Sequence, residues 1–286
     1  MHYSTDPISL IGLAEGDHTF AIRLVDNNHV DLNPFVGDDI SFTVSEGALV
    51  TSIYDIQYVS DPDADDASPF NGQEVTIQGI VTAEFWGSDQ YRYMFVQDAE
   101  GPWNGIVCFE YDGWDNFDWI DVSGSPHKGP AEGDEITLTG TIEEYYNLTE
   151  LTSVSSGVVH GVSDEMIAPS LIPVIDMGEA YEGCLVAFGN VTVSNSDLGY
   201  GEWEFSNADG SARVDDKWDY YYFPQEGHEI AYIEGVVDYS FSNYKLQPRL
   251  ARDVEEQGTT RIQRVQQVLY SDLMKAGEDA ASDTSY

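Results

Sequence analysis

Apolar and polar residues alternate along most of this chain with a period of two, the pattern of strands that bury one face. "ISLIGL" from Ile8, "HTFAIRLVD" from His18 and "DISFTV" from Asp39 all read this way, divided by the turn-rich "AEGD" and "NNHVDLNP". An immunoglobulin-type sandwich needs about seven strands, so these three make 1–46 the C-terminal part of such a sandwich.

Beyond residue 50 the pattern repeats itself. "EGDEITLTGTIEEYYNLTEL" (Glu132 to Leu151) matches "EGHEIAYIEGVVDYSFSNYKL" (Glu226 to Leu246), with Gly133/Gly227, Ile136/Ile230, Gly140/Gly235 and Leu151/Leu246 as anchors. One extra residue before Gly235 is expected to be absorbed as a bulge or a looser turn. Upstream, "GQEVTIQGIVTAEF" pairs with "EGCLVAFGNVTVS", and "YMFVQDAEGPWNGIVCF" with "WEFSNADGSARVDD". Each copy runs as strands carrying mid-strand glycines, joined by Asp- or Glu-Gly turns. Glycine inside a strand marks a bend or a close backbone approach. Five short curved strands of this kind predict a small, partly open barrel of the OB type. The expected fold class is therefore all-β: a sandwich remnant, one OB-like barrel over 50–165 and a second over 172–257.

The stretches "VTIQGIVTAEF" (Val75 to Phe85), "YMFVQDAEGPWNGIVCF" (Tyr93 to Phe109) and "GDEITLTGTIEEYYNLTEL" (Gly133 to Leu151) resemble the OB-fold modules that accompany secreted bacterial nucleases. "YEGCLVAFGNVTVS" and "GEWEFSNADG" resemble the module that follows them, and "GLAEGDHTFAIRLVDNN" is similar to the end of an Ig-like module found ahead of them. The resemblance implies a non-catalytic accessory or scaffold region of a secreted hydrolase of nuclease type, with the enzyme domain elsewhere in the parent chain. Its partners would then be other domains of the same longer chain. Localisation would be extracellular or at the cell surface, with the signal peptide missing here. Finally, "TRIQRVQQV" (Thr260 to Val268) copies "TSIYDIQYV" (Thr51 to Val59), so 259–286 reads as the truncated lead-in of a further OB-like unit.

Charge narrows the partners. Across 286 residues, 52 acidic against 11 basic side chains give −41 and a pI of about 4.1. Such a surface repels phosphate backbones and anionic lipid and suits salty surroundings that screen its self-repulsion. Cys108 and Cys184 stand in separate apolar runs, which points to buried free thiols rather than to a zinc site. No apolar run reaches the length of a membrane span.

Candidate chemistry is sparse. The six histidines are scattered without HxxxH or HExxH spacing, and no nucleophile elbow, P-loop or dinucleotide fingerprint occurs. Asp61, Asp63 and Asp65 in "SDPDADDASP" have the alternate spacing that gathers oxygens around Ca²⁺. Asp66 and Gly72 stand where an EF-hand needs Gly and Glu, so a solvated acidic linker is the plainer reading. Trp86, Tyr91, Tyr93 and Phe95 surround a hairpin, the last three alternating on one strand face. An exposed face of this kind on an OB barrel stacks sugars or bases, and the competing reading is that these residues cover the barrel or an interdomain seam. The second functional reading is thus a binding module for glycan or single-stranded nucleic acid. Arg92 is the only basic residue in the cluster, which favours glycan. "WDNFDW" (Trp114 to Trp119) and "WDYYYFP" (Trp218 to Pro224) fall in loops interleaved with Asp.

Overall fold

The computed structural model describes residues 16–23, 25, 37–44, 49–84, 92–218 and 220–258. The chain divides into two compact units at Leu49/Val50. In the first, β1 (Gly16–Arg23) and β2 (Gly37–Val44) form an antiparallel pair, with Gly16 opposite Val44 and Arg23 opposite Gly37. They are the second and third strands expected in 1–46; "ISLIGL" and the repeat in 259–286 lie outside the described residues.

In the second unit, two sets of strands each close on themselves. The first uses β3 (Glu74–Glu84), β4 (Tyr93–Gln97), β5 (Gly105–Phe109), the short β6 (Ile120–Asp121), β7 (Asp134–Glu144) and β8 (Thr149–Val162). Its sheet runs β5-β4-β3-β7-β8, and β8 returns to β5 in parallel through Val107↔Glu150 and Cys108↔Leu151. The second uses β9 (Ser170–Leu171), β10 (Leu185–Gly199), β11 (Glu202–Ser206), β12 (Ser211–Val214), β13 (Glu229–Ser240), β14 (Asn243–Gln247) and β15 (Val254–Glu256). Here β12-β11-β10-β13-β14 closes when β14 meets β12 in parallel, through Arg213↔Lys245 and Val214↔Leu246. Five strands with the last lying parallel to the third make the connectivity of an OB barrel. Leu151 and Leu246, matched in the repeat, hold the same closing position.

The mid-strand glycines explain the closure. A Cβ on Gly140 would sit 2.8 Å from the carbonyl oxygen of Thr152, and one on Gly235 would sit 2.5 Å from that of Gln247. In both barrels the fourth strand therefore bends tightly over the fifth, at the residue after the shared leucine. In the stretch that carries the extra residue of the second copy, the register of β13 against β15 shifts between Ile230 and Tyr232. This bulge is the predicted kind.

Each barrel has its own core. In the first, Met94, Val96, Ile106, Cys108, Ile136 and Leu138 point inward. One plug of this core is α1 (Ile53–Gln57), whose Ile53 and Ile56 are fully enclosed. The strand-dominated expectation has no place for this helix; five residues are too few to display a 3.6-residue period. Asp98 caps it from outside, accepting the Ile53 N–H at 2.8 Å. A second plug comes from "WDNFDW", expected as a loop, which opens with a 3-10 turn over Trp114–Asn116 and turns its rings inward. Trp114 and Trp119 are 1 % exposed, with ring centroids 5.5 Å apart and Phe117 set 5.0 Å from Trp119. Their indole N–H groups have no hydrogen-bond partner among the described residues. Burying an indole is worth about 4–6 kcal/mol at ~25 cal/mol/Å², against about 1–3 kcal/mol for the unmet donor. The ring wins. The second core is built by Val186, Phe188, Trp203, Phe205, Ile233 and Leu246.

Candidate functional site

The strand face on which OB barrels ordinarily bind ligands is formed by their second and third strands. In the first barrel these are β4 and β5. Met94, Val96, Ile106 and Cys108 turn into the core, so Phe95 and Val107 turn outward. They do not meet solvent. Phe95, Val107, Ala83 and Leu148 pack against Leu185 and Val236 of the second barrel, all buried, with Tyr93, Trp218 and Tyr239 at the margin. Phe95 and Trp218 lie 5.9 Å apart.

The backbones also approach closely at this seam. A Cβ on Gly183, whose φ is 73°, would come within 2.6 Å of the Ile106 nitrogen, and one on Gly105 would be driven into the backbone of Gly183. Only two glycines back to back allow this contact. The Leu185 N–H donates to Gln97 Oε1 at 2.5 Å, the Trp103 N–H to the Ala180 carbonyl at 2.6 Å, and Trp218 Nε1 to the Glu84 carbonyl at 2.9 Å.

Buried cations at the seam and within the second barrel are each set among carboxylates. Arg249 donates to the Thr82 carbonyl (2.8 Å) and Glu132 (3.0 Å) of the first barrel, and to Glu234 (2.9 Å) and Asp253 (3.1 Å) of the second. Lys217 pairs with Asp238 at 2.5 Å while sitting 4.2 Å above the ring of Tyr93. Lys245 pairs with Glu202 at 2.5 Å and Asp215 at 3.3 Å. Three carboxyls in this region pay for burial with basicity. Desolvation, seconded by Glu143, lifts Glu150 to about 7, and desolvation with Glu132 nearby lifts Glu84 to about 7. Glu182 is raised well above the carboxylate range, first by complete burial and then by Glu179; it accepts the Thr149 N–H at 2.9 Å.

The sequence-derived sites fare unevenly against this geometry. Trp86 and Tyr91 lie outside the described residues. Tyr93 is half-buried under Lys217, and Phe95 is enclosed between the barrels. Phe95 therefore presents no stacking surface, because the outward face of β4 carries the interbarrel contact. Asp61, Asp63 and Asp65 are exposed, and among the described residues no three His, Cys, Asp or Glu side chains gather as a group able to hold a metal. Their turn is held internally instead: the Asp61 carbonyl accepts from Ala64 and Asp65, and the Asp65 carboxylate accepts from Ala67. Cys108 and Cys184 are buried free thiols in different cores, and burial pushes Cys184 up to about 12.

The aromatic-rich "WDYYYFP", expected from the sequence as an Asp-interleaved loop, borders an open hollow. With the β10–β11 turn it walls a hollow of about 260 Å³ on the second barrel. Trp203 forms its inner wall, donating from Nε1 to the Tyr220 hydroxyl at 2.7 Å. Tyr221 and Phe223 stand at the hollow 78 % and 79 % exposed. The clue in the sequence is the run of four consecutive aromatics, too many for one side of a strand.

No family model and no curated protein matches the chain. Among solved structures, one described as "Structural mimicry for functional antagonism" is similar at 12% identity and TM-score 0.29, over 65% of this chain and 95% of that one. The HINb domain of p204 is similar at 12% identity and TM-score 0.28, over 66% and 96%. Among the described residues, no helix is long and apolar enough to cross a membrane.

Proposed function

We propose that this chain is a non-catalytic accessory region of a secreted multidomain hydrolase of nuclease type, in which residues 50–258 act as one rigid double-barrel scaffold for an enzyme domain or its substrate. One observation carries the reading. The β4–β5 face, the usual ligand face of an OB barrel, is occupied by the second barrel through Phe95, Val107, Leu185 and Val236. Burying such a face removes a site and creates a fixed spacing between modules. One buried charge supports the same reading, since Arg249 of the second barrel is bound both to Glu234 and Asp253 of its own barrel and to Glu132 and the Thr82 carbonyl of the first. A guanidinium bonded to both barrels resists sliding, because breaking a buried pair costs about 3–5 kcal/mol. The nuclease assignment of the parent rests on the sequence resemblance.

The test is an incubation of the whole purified chain with single- and double-stranded DNA and with RNA, in Mg²⁺ and in Ca²⁺. The expected outcome is intact substrate and no gel shift at physiological salt, as −41 charges require of a chain facing phosphate. Cleavage that purifies with the chain would overturn the reading.

A further inference from the structure

We infer that the aromatic hollow on the second barrel is a binding site for a neutral carbohydrate, one sugar ring stacked on Tyr221 and Phe223. The inference goes beyond the accessory role and does not depend on it.

The hollow lies where the β10–β11 turn meets the segment following β12. Gly201 of that turn has φ 86°, and a Cβ on it would be driven into the Asp216 carboxylate. The turn is thus pressed against the segment opposite, which fixes one side of the hollow. Across from it, Tyr220 is turned inward and nine-tenths enclosed, while Tyr221 adopts φ 56°. A left-handed conformation is costly for a bulky residue. Here it swings the Tyr221 ring out while Tyr220 stays bonded to Trp203. Two rings, Tyr221 and Phe223, are left in solvent around a concavity rather than folded over the core beside them. Burying either would yield about 1.5–3 kcal/mol, so their exposure is a standing cost that a ligand would recover.

Polarity selects the ligand. Among the described residues, those lining the hollow include Asp197, Glu202, Asp216 and Ser196 and no Lys, Arg or His, a lining that disfavours phosphates, nucleic acid and acidic sugars. The carboxylates are already engaged. Glu202 is neutralised by Arg213 at 2.8 Å and by Lys245, and Asp197 accepts the Gly199 N–H at 2.8 Å. They offer spare lone pairs to hydroxyl donors rather than an unmet charge to a cation. The buried hydroxyl of Tyr222, whose ring also lines the hollow, has no partner among the described residues. Aromatic faces for the C–H side of a pyranose, with acceptors for its hydroxyls at the edge, are the chemistry of sugar recognition. The volume, just below the 300–1,000 Å³ of drug-sized pockets, suits one ring of a longer chain.

The experiment titrates the full chain in 0.5 M salt, by tryptophan fluorescence and calorimetry, with neutral oligosaccharides of glucose, xylose, mannose, galactose and N-acetylglucosamine. Tetramethylammonium and spermidine are run beside them. Saturable binding of at least one sugar is expected, weakened about 10-fold by Tyr221→Ala or Phe223→Ala, as a lost stacking contact of ~1.4 kcal/mol predicts. Tyr146→Ala, on the first barrel, leaves it unchanged. Three results would each overturn the inference: no saturable response to any sugar, binding indifferent to both substitutions, or binding of the cations alone. None of these bears on the cleavage assay, so the two readings fail separately.

Discussion

At the scale of single residues, the molecule turns on positions where one atom more or less decides the outcome. Gly105 and Gly183 have no room for a methyl group, and Phe95 fills the seam they frame. Phe95→Ala is predicted to cost about 3–5 kcal/mol, the range for a large buried aromatic, read as a lower urea midpoint. Gly183→Ala should destabilise as well, since it adds a positive-φ penalty to the steric clash. If either variant unfolded at the wild-type midpoint, the seam would not be a packed contact. These residues also mark a limit of the sequence. Tyr93 and Phe95 are legible in the sequence as one strand face. Whether that face meets a ligand or another barrel is not, because Leu185 and Val236 lie about 90 and 140 positions downstream and alternate like any outward-facing apolar residue. Trp114 and Trp119 were hidden differently: interleaved aspartates gave a core plug the look of a solvated loop.

At the scale of elements, the repeat was readable because its signals are local. Mid-strand glycines, Asp-Gly turns and alternating apolar residues foretold both barrels, and Gly140 and Gly235 bend where the pattern said strands should curl. The short helix α1 was not readable. Its start depends on Asp98, more than forty residues away, and Asp98→Ala is expected to cost about 1 kcal/mol, as loss of a helix cap does. A change confined to the exchange protection of residues 53–57 would identify the cap as the cause.

The buried carboxyls of the seam give a pH dependence with a definite sign. Glu150 and Glu84 sit at about 7 in the folded chain against an ordinary 4.5. The folded state therefore holds their protons more tightly than the unfolded state does. Their stabilising contribution is full below about 4.5 and is lost as pH rises through about 7. The urea midpoint should fall between pH 5 and pH 7.5, and Glu150→Gln, which cannot ionise, should flatten part of that slope. A midpoint rising across this window would contradict the assignment.

For the whole molecule, the charge of −41 and the sealed β4–β5 face describe a body that avoids polyanions and holds two barrels at a fixed spacing. The second barrel keeps an open aromatic hollow while the first gives up its ligand face to the seam. The central claim is that these barrels are one cooperative unit. Pulsed hydrogen exchange read by mass spectrometry, on the full chain across a urea series, tests it most directly. Peptides from β3 to β8 and peptides from β10 to β14 are predicted to become labelled at a single common midpoint, the mark of one all-or-none transition. Two separate midpoints, one for each barrel, would contradict the account.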